Sequence, residues 1–132
     1  MNKRIASIIL IAHATFLGVT GLWPLIHIES FMAVLGPKTD VWLVNTVALL
    51  LVSVTWILFL CRHYGQYKLA AGIAIPTSLS LAFIDFYYSN AAIISDIYQI
   101  DGFIQIAFIL LWLVILRAEK EGTFTLSASK PH

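Results

Sequence analysis

Two carboxylates, Asp85 and Asp101, interrupt runs of residues that are otherwise almost wholly apolar. In a hydrocarbon setting an ionised carboxylate costs several kcal/mol, so such residues face a cavity, pair with one another or hold a proton. Asp85 falls about one turn before the end of its apolar run and Asp101 about five residues into the next, which places them at similar depth on adjacent helices. Two acids so close do not both ionise comfortably without a cation. Their chemistry is therefore cation binding or proton carrying. Asp101, Gln105, Phe108 and Trp112 share one helical face at offsets of four, seven and eleven. Thr20, Trp23 and His27 near the end of the first apolar run, Asn45 in the second and Tyr88 beside Asp85 complete a candidate ligand pocket. His13, midway along its run, reads as a neutral, hydrogen-bonded core histidine.

Other chemistries find no support. The chain has no Gly-rich phosphate loop, no His-Glu-x-x-His and no nucleophile elbow, and its single cysteine, Cys61, excludes dithiol redox and an internal disulfide. His27, Glu29 and Asp40 have metal-ligand types but no diagnostic spacing, so neither a metal nor any other cofactor is assigned. Catalytic residues are likewise not assigned.

The elements that must hold these groups follow from composition. Of 132 residues, 60% are hydrophobic and 11% charged, against roughly 45–50% and about 25% in ordinary soluble domains. A soluble globule of this size cannot hide that much apolar surface. A formal charge of +1 offers no electrostatic footprint for nucleic acid. The solvent is lipid. Four stretches, about 5–24, 41–61, 69–87 and 96–116, approach the roughly 20 residues that cross about 30 Å of hydrocarbon. They are too long and too poorly alternating for strands. The expected architecture is all-α: four transmembrane helices in a bundle over residues 1–117, followed by a flexible cytoplasmic tail over 118–132. The basic start and Ala12-His13-Ala14 resemble a signal peptide, but the apolar run continues past Ala14, so an uncleaved first span is expected.

With the N-terminus inside, seven of the eight basic residues lie in inner segments and only Lys38 lies outside. That bias puts both termini in the cytoplasm. Residues 62–68 form a tight inner link broken at Gly65. Across residues 25–35, Leu25, Ile28, Phe31, Met32 and Leu35 recur at helical spacing, so a short interfacial helix is expected there, stopped by Gly36-Pro37. Thr39 or Asp40 would cap the second span and Ser95 the fourth. Ala70, Ala74, Ser78 and Ala82 form a small-residue strip for close helix contact, and Gly18 and Gly21 read the same way. Asn45, Ser53 and Trp56, with Thr46 beside them, give the second span a polar stripe facing the bundle. Trp42, Tyr87, Tyr88 and Tyr98 suit an outer aromatic belt, and Trp56, Tyr64, Tyr67 and Trp112 an inner one.

The stretch Gly21-Leu22-Trp23-Pro24-Leu25-Ile26-His27, then Ser30-Phe31, Gly36-Pro37-Lys38-Thr39-Asp40 and Trp42-Leu43-Val44, resembles small four-helix bacterial integral membrane proteins of the DoxX-like size class. The resemblance covers residues 15–60 best. It implies a bacterial inner-membrane protein and transfers no catalytic residue. Three functions remain open on these residues. The leading one is a binding or accessory protein with an outward-facing polar pocket for a small amphiphile or cation. The second is a small proton-coupled transporter or membrane enzyme using Asp85 and Asp101. The third is a structural subunit, partnered by its own copies or by another membrane protein.

Overall fold

A computed structural model of the chain describes residues 2–128, with side chains described over 2–121. It is all-helical: α1 Lys3–Ile26, α2 Ile28–Leu35, α3 Val41–His63, α4 Tyr67–Asn90 and α5 Ile97–Ala128. Four of these helices are long and apolar enough to cross a membrane. The protein is a membrane protein of the expected class.

The helix boundaries follow local chemistry. Asn2 starts α1 by accepting from the Arg4 and Ile5 amides through its side-chain oxygen, at 3.1 and 3.4 Å. The interfacial helix is shorter than the expected 25–35. Leu25 and Ile26 complete α1, which breaks at His27. Pro24 lies inside that last turn, and the cap after it falls to a residue that sequence rules do not favour. The His27 ring nitrogen Nδ1 accepts from the Ser30 amide at 3.1 Å and starts α2. Gly36 ends α2 with φ +92° and donates its amide to the Met32 carbonyl at 2.9 Å, a conformation that favours glycine. At eight residues, α2 extends only about 12 Å.

Asp40 stands at the head of α3, but neither it nor Thr39 supplies a side-chain cap; the Asp40 carbonyl takes the Leu43 and Val44 amides instead. Ser95 does reach the Ile97 amide, at 3.5 Å. The tail differs from expectation. α5 continues past Arg117 to Ala128, and Lys68 of α4 reaches Glu119 across 3.5 Å. Ala118, Glu119, Lys120 and Glu121 are good helix formers and carry the helix past Arg117. Only residues 129–132 of that tail lie outside the described ones.

The helices pack as two pairs, α1 on α3 and α4 on α5, with α2 folded back on α1. Small residues make both pairings close, as packing in lipid requires. A Cβ at Gly21 would meet the Ala48 carbonyl oxygen at 2.8 Å, and one at Gly102 would meet the Phe86 ring at 2.9 Å. Thr55 adds a hydrogen bond across the first pair, to the Ala14 carbonyl at 3.2 Å. The polar stripe expected on the second span does not face the bundle. Thr46 and Ser53 are exposed and bond to the carbonyls of Trp42 and Leu49, four residues back, and Trp56 is 67% exposed. Hydroxyls that satisfy themselves on their own helix need no bundle partner.

Candidate functional site

A cavity of about 540 Å³ occupies the end of the bundle nearest α2. All five helices contribute to it. Phe16, Trp23, Phe31, Leu51, Leu81 and Ile104 are among its mostly apolar walls, and its polar groups come from Thr20, Trp23, Asp85, Tyr98 and Asp101. α2 contributes Phe31, Val34 and Leu35. It is pinned there by the Trp23 indole, which donates to the Ser30 hydroxyl at 2.9 Å and meets the Phe31 ring edge-on at 5.6 Å.

Asp85 and Asp101 do meet, with their carboxyl groups within hydrogen-bonding reach of each other. Asp85 is 4% exposed and its Oδ2 is buried without a hydrogen-bond partner. Asp101 is half-buried on the cavity wall. Carboxylates accept hydrogen bonds and cannot donate them, so this contact becomes a bond only with a proton or a cation in it.

Behind Asp101 runs a line of buried polar side chains. Gln105 donates its amide Nε2 to Asp101 Oδ1 at 3.4 Å. The Ser78 hydroxyl donates to Gln105 Oε1 at 2.7 Å and lies 3.0 Å from His13 Nε2. The Trp112 indole N–H donates to His13 Nδ1 at 3.1 Å. His13, Ser78 and Trp112 are fully buried and Gln105 is 1% exposed, and Phe108 stacks on the His13 ring at 4.2 Å. Trp112 is therefore not part of an interfacial belt. Its ring fills the core because Asp101, Gln105, Phe108 and Trp112 lie on one face, and that face looks inward.

Comparison with known proteins finds no matching family model, no matching curated sequence and no matching solved structure. The site has to be read from its own chemistry.

Of the eight residues expected to form the pocket, Thr20, Trp23, Asp85 and Asp101 line the cavity. Gln105 stands behind Asp101 and touches it. Asn45, His27 and Tyr88 do not line it. Asn45 is half-buried on α3, His27 caps α2, and Tyr88 is half-buried against Tyr87. Among the described residues no three His, Cys, Asp or Glu side chains converge as a metal site, so His27, Glu29 and Asp40 do not form one. The cavity is also less polar than a reading of polar stripes implies, because only α1, α4 and α5 bring polar side chains to it.

One residue outside the candidate set lines the cavity, Tyr98, and Lys38 packs against it. Tyr98 lines the cavity within electrostatic range of both acids. The Lys38 ammonium sits 5.0 Å from the centre of the Tyr98 ring and donates to the Leu35 carbonyl at 3.2 Å. Burial pushes the Lys38 ammonium below the usual lysine range. The available signal for both was the isolation of Lys38, the one basic residue between the first and second spans.

Proposed function

We propose that this protein binds a small amphiphile carrying an amine-type cation, with its chain in the cavity and its charged head at Asp101 beside Asp85. The observation that carries the reading is the buried, unpartnered Asp85 oxygen beside Asp101 on the wall of an otherwise apolar cavity. The volume lies within the roughly 300–1,000 Å³ usual for small-molecule sites. An ammonium would supply the positive charge and the donors that two adjacent carboxyls lack. The same acids support a second reading, proton-coupled transport, because a carboxyl pair that needs a proton can carry one.

The positive-inside bias of the basic residues supports both termini in the cytoplasm, and the resemblance of residues 15–60 to small four-helix bacterial membrane proteins supports a place in the inner membrane. Reporter fusions in the 62–68 link and after Arg117 should both report cytoplasm; a periplasmic signal at either overturns that orientation.

Binding is tested with the purified full chain in phosphatidylcholine nanodiscs, titrated with octylamine and with octanol. Octylamine should bind more tightly than octanol, and Asp101→Asn should erase at least about a tenfold preference, or 1.4 kcal/mol, without lowering the unfolding temperature. Equal binding of the two probes by the unsubstituted chain defeats the proposal. Acid-driven octylamine flux into liposomes would favour the transport reading instead.

A further inference from the structure

The line of buried groups behind Asp101 has a direction, and one residue sets it. An indole N–H only donates, so the nitrogen facing Trp112, His13 Nδ1, must be the bare acceptor nitrogen. A neutral His13 then carries its proton on Nε2, which faces the Ser78 oxygen at 3.0 Å. With its acceptor side taken, the Ser78 hydroxyl turns its own proton to Gln105 Oε1 at 2.7 Å. That in turn leaves the Gln105 amide to donate to Asp101 at 3.4 Å. Reversing the Gln105 amide would set two donors on the Ser78 oxygen and an amide oxygen against a carboxyl oxygen. Only one direction satisfies every buried group, and each one is buried where an unmade hydrogen bond is costly.

We infer that His13, Ser78 and Gln105, aligned by Trp112, are positioning residues that hold Asp101 as the charge-accepting member of the acid pair. This deepens the binding reading and rests on it. The aligned donors end at Asp101 Oδ1, so Asp101 is the acid stabilised as an acceptor and Asp85 is the one that holds the proton between them. The pair then presents one negative charge to the cavity, matched to a singly charged ammonium rather than a divalent metal ion. The line also ends blindly at an indole, which does not take up a proton. It positions a charge and does not conduct one.

The test uses the full chain in phosphatidylcholine nanodiscs, first without any ligand. Histidine labelled with ¹⁵N should show His13 with a bare Nδ1 and a protonated Nε2, identified by the signal lost in His13→Asn. Infrared spectra should show a protonated carboxyl band that disappears in Asp85→Asn. Ser78→Ala keeps the small side chain its close packing needs and removes the hydroxyl link. It should shift that band and weaken the octylamine-over-octanol preference by roughly two- to tenfold, the scale of one neutral hydrogen bond. Should Ser78→Ala not fold, Gln105→Met cuts the next link at similar length. A proton on His13 Nδ1, or an unmoved carboxyl band when the link is cut, overturns the inference. The tautomer and the band need no ligand, so they remain informative even if octylamine and octanol bind the unsubstituted chain alike.

Discussion

The two ends of this bundle solve the same problem in opposite ways. At the end holding the α3–α4 link, Ala6, Leu10, Leu58, Ala70, Ala71 and Ala74 close the interior, and nearly the whole buried cluster lies there. Where a polar group enters that end it arrives with partners, as His13 does between Trp112 and Ser78. At the α2 end the helices enclose about 540 Å³, and a carboxyl oxygen is buried with no partner. Lipid provides little hydrophobic push between helices, so packing and hydrogen bonds decide where they touch. The closed end supplies the stability, which lets the open end keep a space and an unsatisfied acid.

The largest expected effect comes from breaking the closed end. Trp112→Ala removes a fully buried ring and leaves His13 Nδ1 without its donor. Truncating a buried Trp costs about 3–5 kcal/mol, which is enough to unfold most marginal chains. Thermal unfolding in detergent should show a large drop. An unchanged midpoint would mean that the closed end does not carry the fold.

A smaller effect sharpens the contrast by adding volume instead of removing it. Ala74 is fully buried in the closed end, and Ala74→Leu should cost about 1–3 kcal/mol by overpacking. Ile104 lines the cavity, so Ile104→Phe has somewhere to put its ring and should change stability by less than about 1 kcal/mol. The same Ile104→Phe chain should bind octylamine more weakly, because the ring takes the ligand's space. Equal destabilisation by the two substitutions would mean that the α2 end is as tightly packed as the other.

The sequence made one half of this contrast readable and left the other largely hidden. Four apolar runs dictate four long helices because backbone groups in hydrocarbon have few other solutions, and four appear. The meeting of Asp85 and Asp101 was legible from depth alone. Trp112 shows where depth misleads. Its position along the helix suggested a belt, whereas its angular offset from Asp101 and Gln105 placed it in the core, and the angle prevailed. Thr46 and Ser53 went astray because a hydroxyl can bond its own helix, so a polar stripe need not mark a buried face. The roles of Tyr98 and Lys38 depend on how the loop after α2 folds over the start of α5, and no periodicity encodes that.

The smallest expected effect concerns that loop and tests whether Lys38 is held against the start of α5. Lys38 lies over the Tyr98 ring and on the Leu35 carbonyl, and its ammonium is held below the usual lysine range by burial. The folded chain therefore binds this proton less readily than the unfolded chain does. Between the lowered folded value and the ordinary lysine value of about 10.4, the unfolded state holds more of it. Stability must then rise with pH through that window and level off above it. Lys38→Met keeps the apolar stem and removes the titration, so the difference between the two chains isolates the group from other lysines and tyrosines. The unsubstituted chain should gain on Lys38→Met as the pH is raised from neutral to about 10.4, in paired thermal scans at each pH. The gain should be slight, because Lys38 is only partly buried and water screens much of its charge. A difference that stays flat, or runs the other way, would place the Lys38 ammonium in solvent, away from the Tyr98 ring.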